Sequence, residues 1–534
     1  MTRFTVQQIP YAQTKAFSSI VTDYVAQAAA LQPFYLHKPD LEGIKNSIAQ
    51  RKQYVTNRSV LVEQLKLQYA GLEMGEKLQG NIDSLLLDNT FTITTAHQPN
   101  IFTGHLYFIY KILHAIKLAA SLAQQIPNCH FVPVYYMGSE DADLAELGAV
   151  TINGQKYIWD TKQAGAVGRM KIDKAFIDLM DGIEGQISVE PFGNEMMLML
   201  RSAYSVGKTM ETATMEFVHE MFGAYGLVIL LPDNAVLKNE FAPIVRKELE
   251  EQFSNRAVTE TMKEFPAIYK VQTSGREVNL FYLKDNSRER IEKEDGHWSV
   301  VNRNLRFEGE TILDELNNFP DRFSPNVILR PVFQEMLLPN IAFIGGGGEL
   351  AYWLELKKVF EATGVPYPVL VLRNSFMVVS EKVAQKAKSL HINLIEFFKP
   401  THVLMLQLVQ QSSALKLELA EEKLQLENLY KKIGQAAGAV DQTLQNHTTA
   451  LFVKANHKIV QLEKKMLVAE KKKYEAQQRQ VEKIKERLFP LNTLQERVDN
   501  IIPYYAVYGK SFIEMLYQNS NTLEHEFCIV IETV

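Results

Sequence analysis

Residues 91–113 read FTITTAHQPNIFTGHLYFIYKIL. The β-branched run Phe91-Thr92-Ile93-Thr94-Thr95 predicts a strand. It stops at a polar loop carrying His97, Gln98 and Asn100. From Gly104-His105 the apolar spacing through Ile109, Ile112 and Leu113 predicts a helix. The loop is open to two readings, a nucleotide or carboxylate site or a turn that joins two pieces of core.

The same texture recurs along the chain. Short β-like runs at 131–136 (FVPVYY), 226–231 (GLVILL), 341–344 (IAFI) and 369–372 (VLVL) are bounded by Gly, Pro or Asp. Helical runs at 105–124, 239–253 and 349–363 separate several of them. Strands without clean alternation, spaced by helices, indicate a parallel sheet covered on both faces, hence an α/β layered core. Residues 1–90 read as mostly helical, with Pro39-Asp40-Leu41 opening a run that reaches Leu72. Core segments are expected at 91–150, 226–254 and 326–400. Segments 151–225 and 255–325 read as insertions. The second holds REVNLFYL and HWSVVNRNLRF, strands of a small antiparallel sheet.

From 401 to 489 the pattern turns to heptads. Leu419, Leu426, Ile433 and Val440 recur every seven, with Leu429 and Ala436 interleaved. The pattern resumes with Ile459, Leu462, Met466, Ala469, Ala476, Val481, Ile484 and Leu488. Two arms around a break containing Gly434 and Gly438 predict an antiparallel coiled-coil hairpin, each arm roughly 45–60 Å long. Leu417, Leu424 and Tyr430 fall outside the strict seam, which favours a homodimer interface over a simple spacer. Residues 490–534 return to the core and include the strand-like FCIVIETV.

With 534 residues, 46% hydrophobic and 22% charged, the chain is long enough for about three or four domain-sized pieces. A formal charge of −5 gives no electrostatic reason to expect nucleic acid or membrane as a partner. The N-terminal MTRFTVQQIPYAQTKAF lacks a signal-peptide core, and apolar runs such as 226–231 and 368–372 are too short to span a bilayer. Two cysteines, Cys129 and Cys528, stand in no metal-ligand spacing, so a reducing cytoplasm is the expected home and both are expected to be structural.

Four polar clusters each follow a predicted strand directly. In the first, His97, Gln98, Asn100, Thr103, Gly104 and His105 offer a helix start and two imidazoles to an anion, or else a capped helix with surface histidines. The second, VPVYYMGSEDADLAEL (132–147), sets Glu140, Asp141 and Asp143 after a strand. Capping explains part of that acidity. The rest suits an ammonium group, a proton from an attacking amine, or Mg²⁺ through water, with no all-protein metal site expected. In the third, the strand at 341–344 runs into Gly345, Gly346, Gly347, Gly348 and Glu349, with Tyr352 and Trp353 beyond and Arg330 and Gln334 before. It fits neither Walker A nor GxGxxG, and reads as a close approach to a ligand or as a flexible lid. Arg373 follows the strand at 369–372. In one parallel sheet all four clusters share an edge, which predicts a common pocket.

Together FTGHLYFIYKILHAIKLA, VPVYYMGSEDADLAEL, RPVFQEMLLPNIAFIGGGGELAYWLELKKVFEATGVPYPVLVLR and a coiled coil ending in RLFP resemble the bacillithiol-biosynthesis cysteine-adding enzyme family, BshC. The resemblance spans nearly the whole chain. It implies a Rossmann-like core related to class I synthetases, connecting-peptide insertions and a coiled coil that mediates dimerisation. It also implies addition of cysteine to glucosaminyl-malate. The family loop pattern TGQQ…FTGPLY is replaced by Ala96-His97-Gln98 and Gly104-His105-Leu106. The acidic motif GEDHD is replaced by Gly138-Ser139-Glu140-Asp141-Ala142-Asp143, which removes a histidine at 142.

The expected chemistry is ligation, with ATP or another adenine nucleotide activating the cysteine carboxyl near His97, Thr103 and His105, and with Mg²⁺ as a companion. Glu140, Asp141 and Asp143 then orient an ammonium or deprotonate the sugar amine, and Arg330 and Arg373 bind carboxylates or phosphates. The rival readings are a nucleotide-binding adaptor that recruits a partner through its coiled coil, and a ligase for a different amino sugar.

Overall fold

Five parallel strands form the central sheet of the structure, a computed structural model that describes residues 3–272, 275–294, 296–412 and 418–533. They are β1 Thr90–His97, β2 His130–Met137, β3 Val228–Leu230, β4 Asn340–Gly345 and β5 Val369–Leu372, hydrogen-bonded in the order β5-β4-β1-β2-β3. β1, β2 and β4 extend the predicted runs by a residue or two, β5 coincides with its run, and β3 is shorter. Thr95 pairs with Ile344 on one side and Tyr135 on the other, Gly345 with Leu372, and Tyr136 with Leu230. The carboxyl ends therefore line up along one edge. The winding direction reverses between β1 and β4, which opens a crevice there.

β1 is fully buried although half of it is threonine. Three of its four hydroxyls are satisfied locally: Thr92 and Thr94 donate to Asn340 Oδ1 at 3.2 and 2.8 Å, and Thr95 to Ile344 O at 2.9 Å. A polar strand is tolerated in the core because each of these groups has a partner. The helix Leu106–Gln125 lays Ala115, Leu118, Ala119 and Leu122 on Phe91, Ile93, Ile341, Ile344 and Val371. Contrary to the expectation of short apolar runs only, this helix is long and apolar enough to cross a bilayer. Lys111, His114 and Lys117 break its run in the sequence, yet 72% of its most apolar stretch is buried against the sheet.

The chain divides into two compact units, Met1–Val378 with Thr493–Val530, and Val379–Asn492 with Ile531–Val534. In the first, the N-terminal region begins with the strand Arg3–Pro10 before its helices. Asp40 caps the helix Leu41–Arg51 by accepting from Gly43 N at 2.8 Å. The expected antiparallel sheet is present, in the order Leu305–Glu308, His297–Val300, Ser287–Glu294, Leu280–Lys284, Phe323–Pro325. Helices Lys174–Ile187, Gly193–Ala203 and Met210–Phe222 fill most of 151–225. Cys129 and Cys528 are free and buried.

In the second unit the helices Ala420–Val440 and Gln442–Lys471 pack antiparallel. Lys423 pairs with Glu463 at 2.9 Å, and Tyr430 meets Phe452 with ring centroids 5.9 Å apart. The break differs from the expected one. The chain reverses at Asp441, whose carboxylate accepts from Thr443 N at 2.7 Å, while Gly434 and Gly438 lie inside the first helix. There they face Thr448 and Gln445 of the second arm.

The seam is rotated as well. Leu426, Tyr430, Gly434 and Ala437 face the second arm, whereas Leu429, Ile433, Ala436 and Val440 are exposed. On the second helix Leu444, Leu451 and Leu462 are exposed. At 100° per residue each set falls on one line of its helix, and in an antiparallel pair these two lines share a flank. The hairpin thus carries an uncovered apolar face. Tyr430, expected outside the seam, lies within it; Leu424 is exposed, and Leu417 lies outside the described residues.

Candidate active site

A cavity of about 660 Å³ opens at the carboxyl edge of the sheet. The end of β1 brings His97 and Gln98 to it, the turn after β2 brings Glu140 and Asp141, Gly346 and the first turn of the helix Gly347–Leu354 bring the glycines and Glu349, and the end of β5 brings Arg373. Arg330 and Tyr352 also line it, whereas the predicted Asn100 does not. Four polar clusters from distant parts of the sequence do converge.

At the β1–β4 crevice the side chains are held from behind. Arg373 donates to Glu496 Oε1 at 2.7 Å and to Ser375 Oγ at 3.0 Å and lies over the Tyr107 ring, while its Nε is buried without a partner among the described residues. His97 Nε2 is likewise buried and unpartnered, and its ring stacks on Phe108. Burial, reinforced by Lys111, holds His97 well below the usual histidine range, so it offers one neutral donor or acceptor and no charge. Lys111 donates to Ala96 O at 2.8 Å and forms a close ion pair with Glu349, whose carboxylate accepts from Gly346 N at 2.8 Å. Among the described residues, nothing beyond its own helix and chain neighbours lies within 4 Å of where a Cβ on Gly348 would stand. Bare backbone, two orphaned nitrogens and a buried arginine suit a phosphate.

At the β2 end the carboxylates are embedded in counter-charge. Glu140 pairs closely with Lys238, which also reaches Asp233 Oδ1 at 3.0 Å. Arg169 clamps Asp233 with two bonds of 2.6 and 2.7 Å. Burial raises Glu140, and Lys238 opposes it. Burial would raise Asp233 too, but Lys238 and Arg169 overcome it and hold that carboxyl at about 2. Asp141 accepts from Gln98 Nε2 at 3.1 Å. Between the two ends Arg330 donates to Tyr352 Oη at 2.8 Å and Gln334 Oε1 at 3.2 Å, partners that leave its charge uncancelled.

One family model, the N-terminal Rossmann-like domain of bacillithiol biosynthesis BshC, matches residues 4–374, and the C-terminal coiled-coil domain of BshC matches 376–532. The chain belongs to the BshC family. Curated relatives include a protein of Flavobacterium johnsoniae, 37% identical over 98% of this chain and 99% of its own length. Another, from Christiangramia forsetii, is 36% identical over 98% of both chains. Both carry the name "Putative cysteine ligase BshC".

In this BshC chain several expected site residues lie outside the cavity lining. Thr103, at φ 68°, does not cap the following helix; Leu106 N is satisfied instead by Asp499 O at 2.8 Å. Asn500 Nδ2 donates to Gly104 O, and His105 Nδ1 meets Val498 O at 3.2 Å, so this turn docks on 498–500. Gly104 is at φ 65° against Asn100, where a Cβ would come within 2.9 Å of the Asn100 side chain. Asp143 is an exposed helix cap, accepting from Glu146 N at 3.0 Å. Gln334 is buried behind Arg330, and Gly345 is packed against Phe343 and Leu350. Trp353 is core, stacked between Phe343 and Phe360. Among the described residues no group of three or more His, Cys, Asp and Glu is placed to hold a metal ion.

The cavity also takes residues that the sequence reading passed over: Tyr107, Lys111, Arg276, Arg288, Arg290 and Arg497. Their signal was weak. Lys111 sat in an apolar helix, and the arginines came from an insertion and from the segment after the coiled coil. With them the lining holds six arginines and Lys111 against three carboxylates, a marked preference for anions.

Proposed function

We propose that this BshC chain is a cysteine ligase that joins the carboxyl of L-cysteine to the amine of glucosaminyl-malate, with a nucleotide activating the carboxyl. The observation that carries this reading is one cavity with a phosphate-suited end and a carboxylate end on the same sheet edge. A carboxylate and an amine do not condense readily in water, and ATP supplies a leaving group on the cysteine carboxyl. His97 Nε2, Arg373 Nε and the backbone of Gly346–Gly348 bind and orient phosphate oxygens. Lys111 stays fixed by Glu349 and adds positive charge to the same wall. Glu140 and Asp141 attract the acceptor's ammonium group; it gives one proton to solvent to become the attacking amine, and one of these carboxylates takes the second proton that the nitrogen loses as the amide forms. Arg330 reaches carboxylate or phosphate from the middle. Incubation with ATP, cysteine and glucosaminyl-malate should yield the amide with either AMP or ADP in equal amount. Product without either nucleotide removes ATP as activator.

The uncovered flank of the hairpin supports a second copy of this chain as its partner. Apolar residues on both arms are too regularly spaced to be incidental, and a matching flank covers them by two-fold symmetry. Replacing Ile433 and Leu462 together by glutamate should turn a dimer into a monomer in sedimentation equilibrium. A wild-type monomer, or an unchanged dimer in the variant, rejects this interface.

A further inference from the structure

The strand Ser287–Glu294 belongs to the inserted antiparallel sheet, yet it sends two guanidinium groups into the cavity. Arg288 and Arg290 are two residues apart and so point to one face. Arg288 is fixed: it donates to Ser324 Oγ and Pro325 O, both at 3.1 Å, and lies over the Phe281 ring at 3.9 Å. The carboxylates whose charges act on it are Glu140, Asp141 and Asp233. Arg276, from the segment leading into the same sheet, also lines the cavity.

Building on the proposed ligase reading, we infer that Arg288 and Arg290 form an acceptor subsite that binds the malate carboxylates of the amino-sugar substrate. The chemistry of that substrate requires such a neighbour. Its amine and its malate sit on adjacent carbons of one sugar ring, so the cations that hold the carboxylates must stand beside the carboxylates that receive the amine. Arg288 meets that condition by lining the same cavity as Glu140 and Asp141, whose charges act on it. The phosphate-suited atoms are on β1, β4 and β5, which leaves the inserted sheet to the acceptor. The insertion is thereby a specificity element as well as a covering layer.

The subsite is tested on the full chain with Arg290→Gln, Arg288→Gln and Arg288→Lys. Glutamine at either position should raise KM for glucosaminyl-malate about 10- to 100-fold and leave KM for ATP unchanged. Methyl glucosaminide, which lacks the malate, should be a poor acceptor for the wild type and no poorer for the variants. Arg288→Lys should recover part of the loss, because the charge returns without the fork. Arg290, whose ion-pair partner among the described residues is Glu292 at 3.4 Å, keeps the test valid if the Arg288 variants misfold. Calorimetric titration with glucosaminyl-malate, without nucleotide, separates this inference from the ligase reading. Weakened binding in the arginine variants, with no amide formed by any protein, keeps the subsite and rejects the ligase. Amide formation with equal acceptor binding in wild type and variants rejects the subsite, as does a wild type that binds no acceptor.

Discussion

Glu140→Gln lowers kcat for amide formation by about 10²- to 10⁴-fold, with KM for the nucleotide unchanged: this is the expected result if the β2 end handles the amine. The substitution is nearly isosteric, and it leaves Lys238 with Asp233 as counter-ion at 3.0 Å, so no buried cation is orphaned. Asp233 itself stays clamped by Arg169. The loss is therefore one of charge at the reacting amine. Asp143→Asn is the control, since asparagine caps a helix as well as aspartate does and Asp143 faces solvent. A Glu140→Gln enzyme within tenfold of the wild type would remove Glu140 from the chemistry.

Arg373→Met is expected to destabilise the unit that holds the cavity by about 3–5 kcal/mol. Glu496 is fully buried, and its carboxylate takes one bond from Arg373 at 2.7 Å and another from Ser375 Oγ at 3.2 Å. Removing the guanidinium leaves that charge without its counter-ion. Adding Glu496→Gln should restore most of the loss, because the damage lies in the orphaned charge and not in the missing arginine. All three tryptophans, Trp159, Trp298 and Trp353, belong to this unit, so fluorescence during urea unfolding reports on it alone. An Arg373→Met protein that unfolds within about 1 kcal/mol of wild type would show that the pair contributes little.

The central sheet was legible because buried parallel strands leave compact apolar runs, and the shared edge followed from their directions. The polar groups at strand ends were legible for the same reason: Gly346, Glu140 and Arg373 each follow a strand directly. The flanking loop read less well. His105 and Thr103 look like anion binders in sequence, but the chain turns at Gly104, Thr103 is buried, and Gly104 and His105 bond to Asn500 and Val498, nearly 400 residues away in sequence. Arg288 and Arg290 lie in a mixed polar strand, where nothing local distinguishes a cavity-facing cation from a solvated one. In the hairpin, period alone could not choose between two apolar faces of the same helix. It favoured Leu429 and Ile433, whereas the glycines and Tyr430 mark the side along which the arms meet.

One wall of the cavity is supplied late in the chain. Glu496, which seats Arg373, and Arg497, which faces the interior, follow the entire hairpin in sequence, while their partners precede it. The two family regions meet between residues 374 and 376, and that border cuts an ion pair. A fragment ending at 374 would carry every strand of the sheet and still leave a guanidinium facing a gap. Gene fission, domain grafting or limited proteolysis in the hairpin would preserve function only where the severed pieces stayed together.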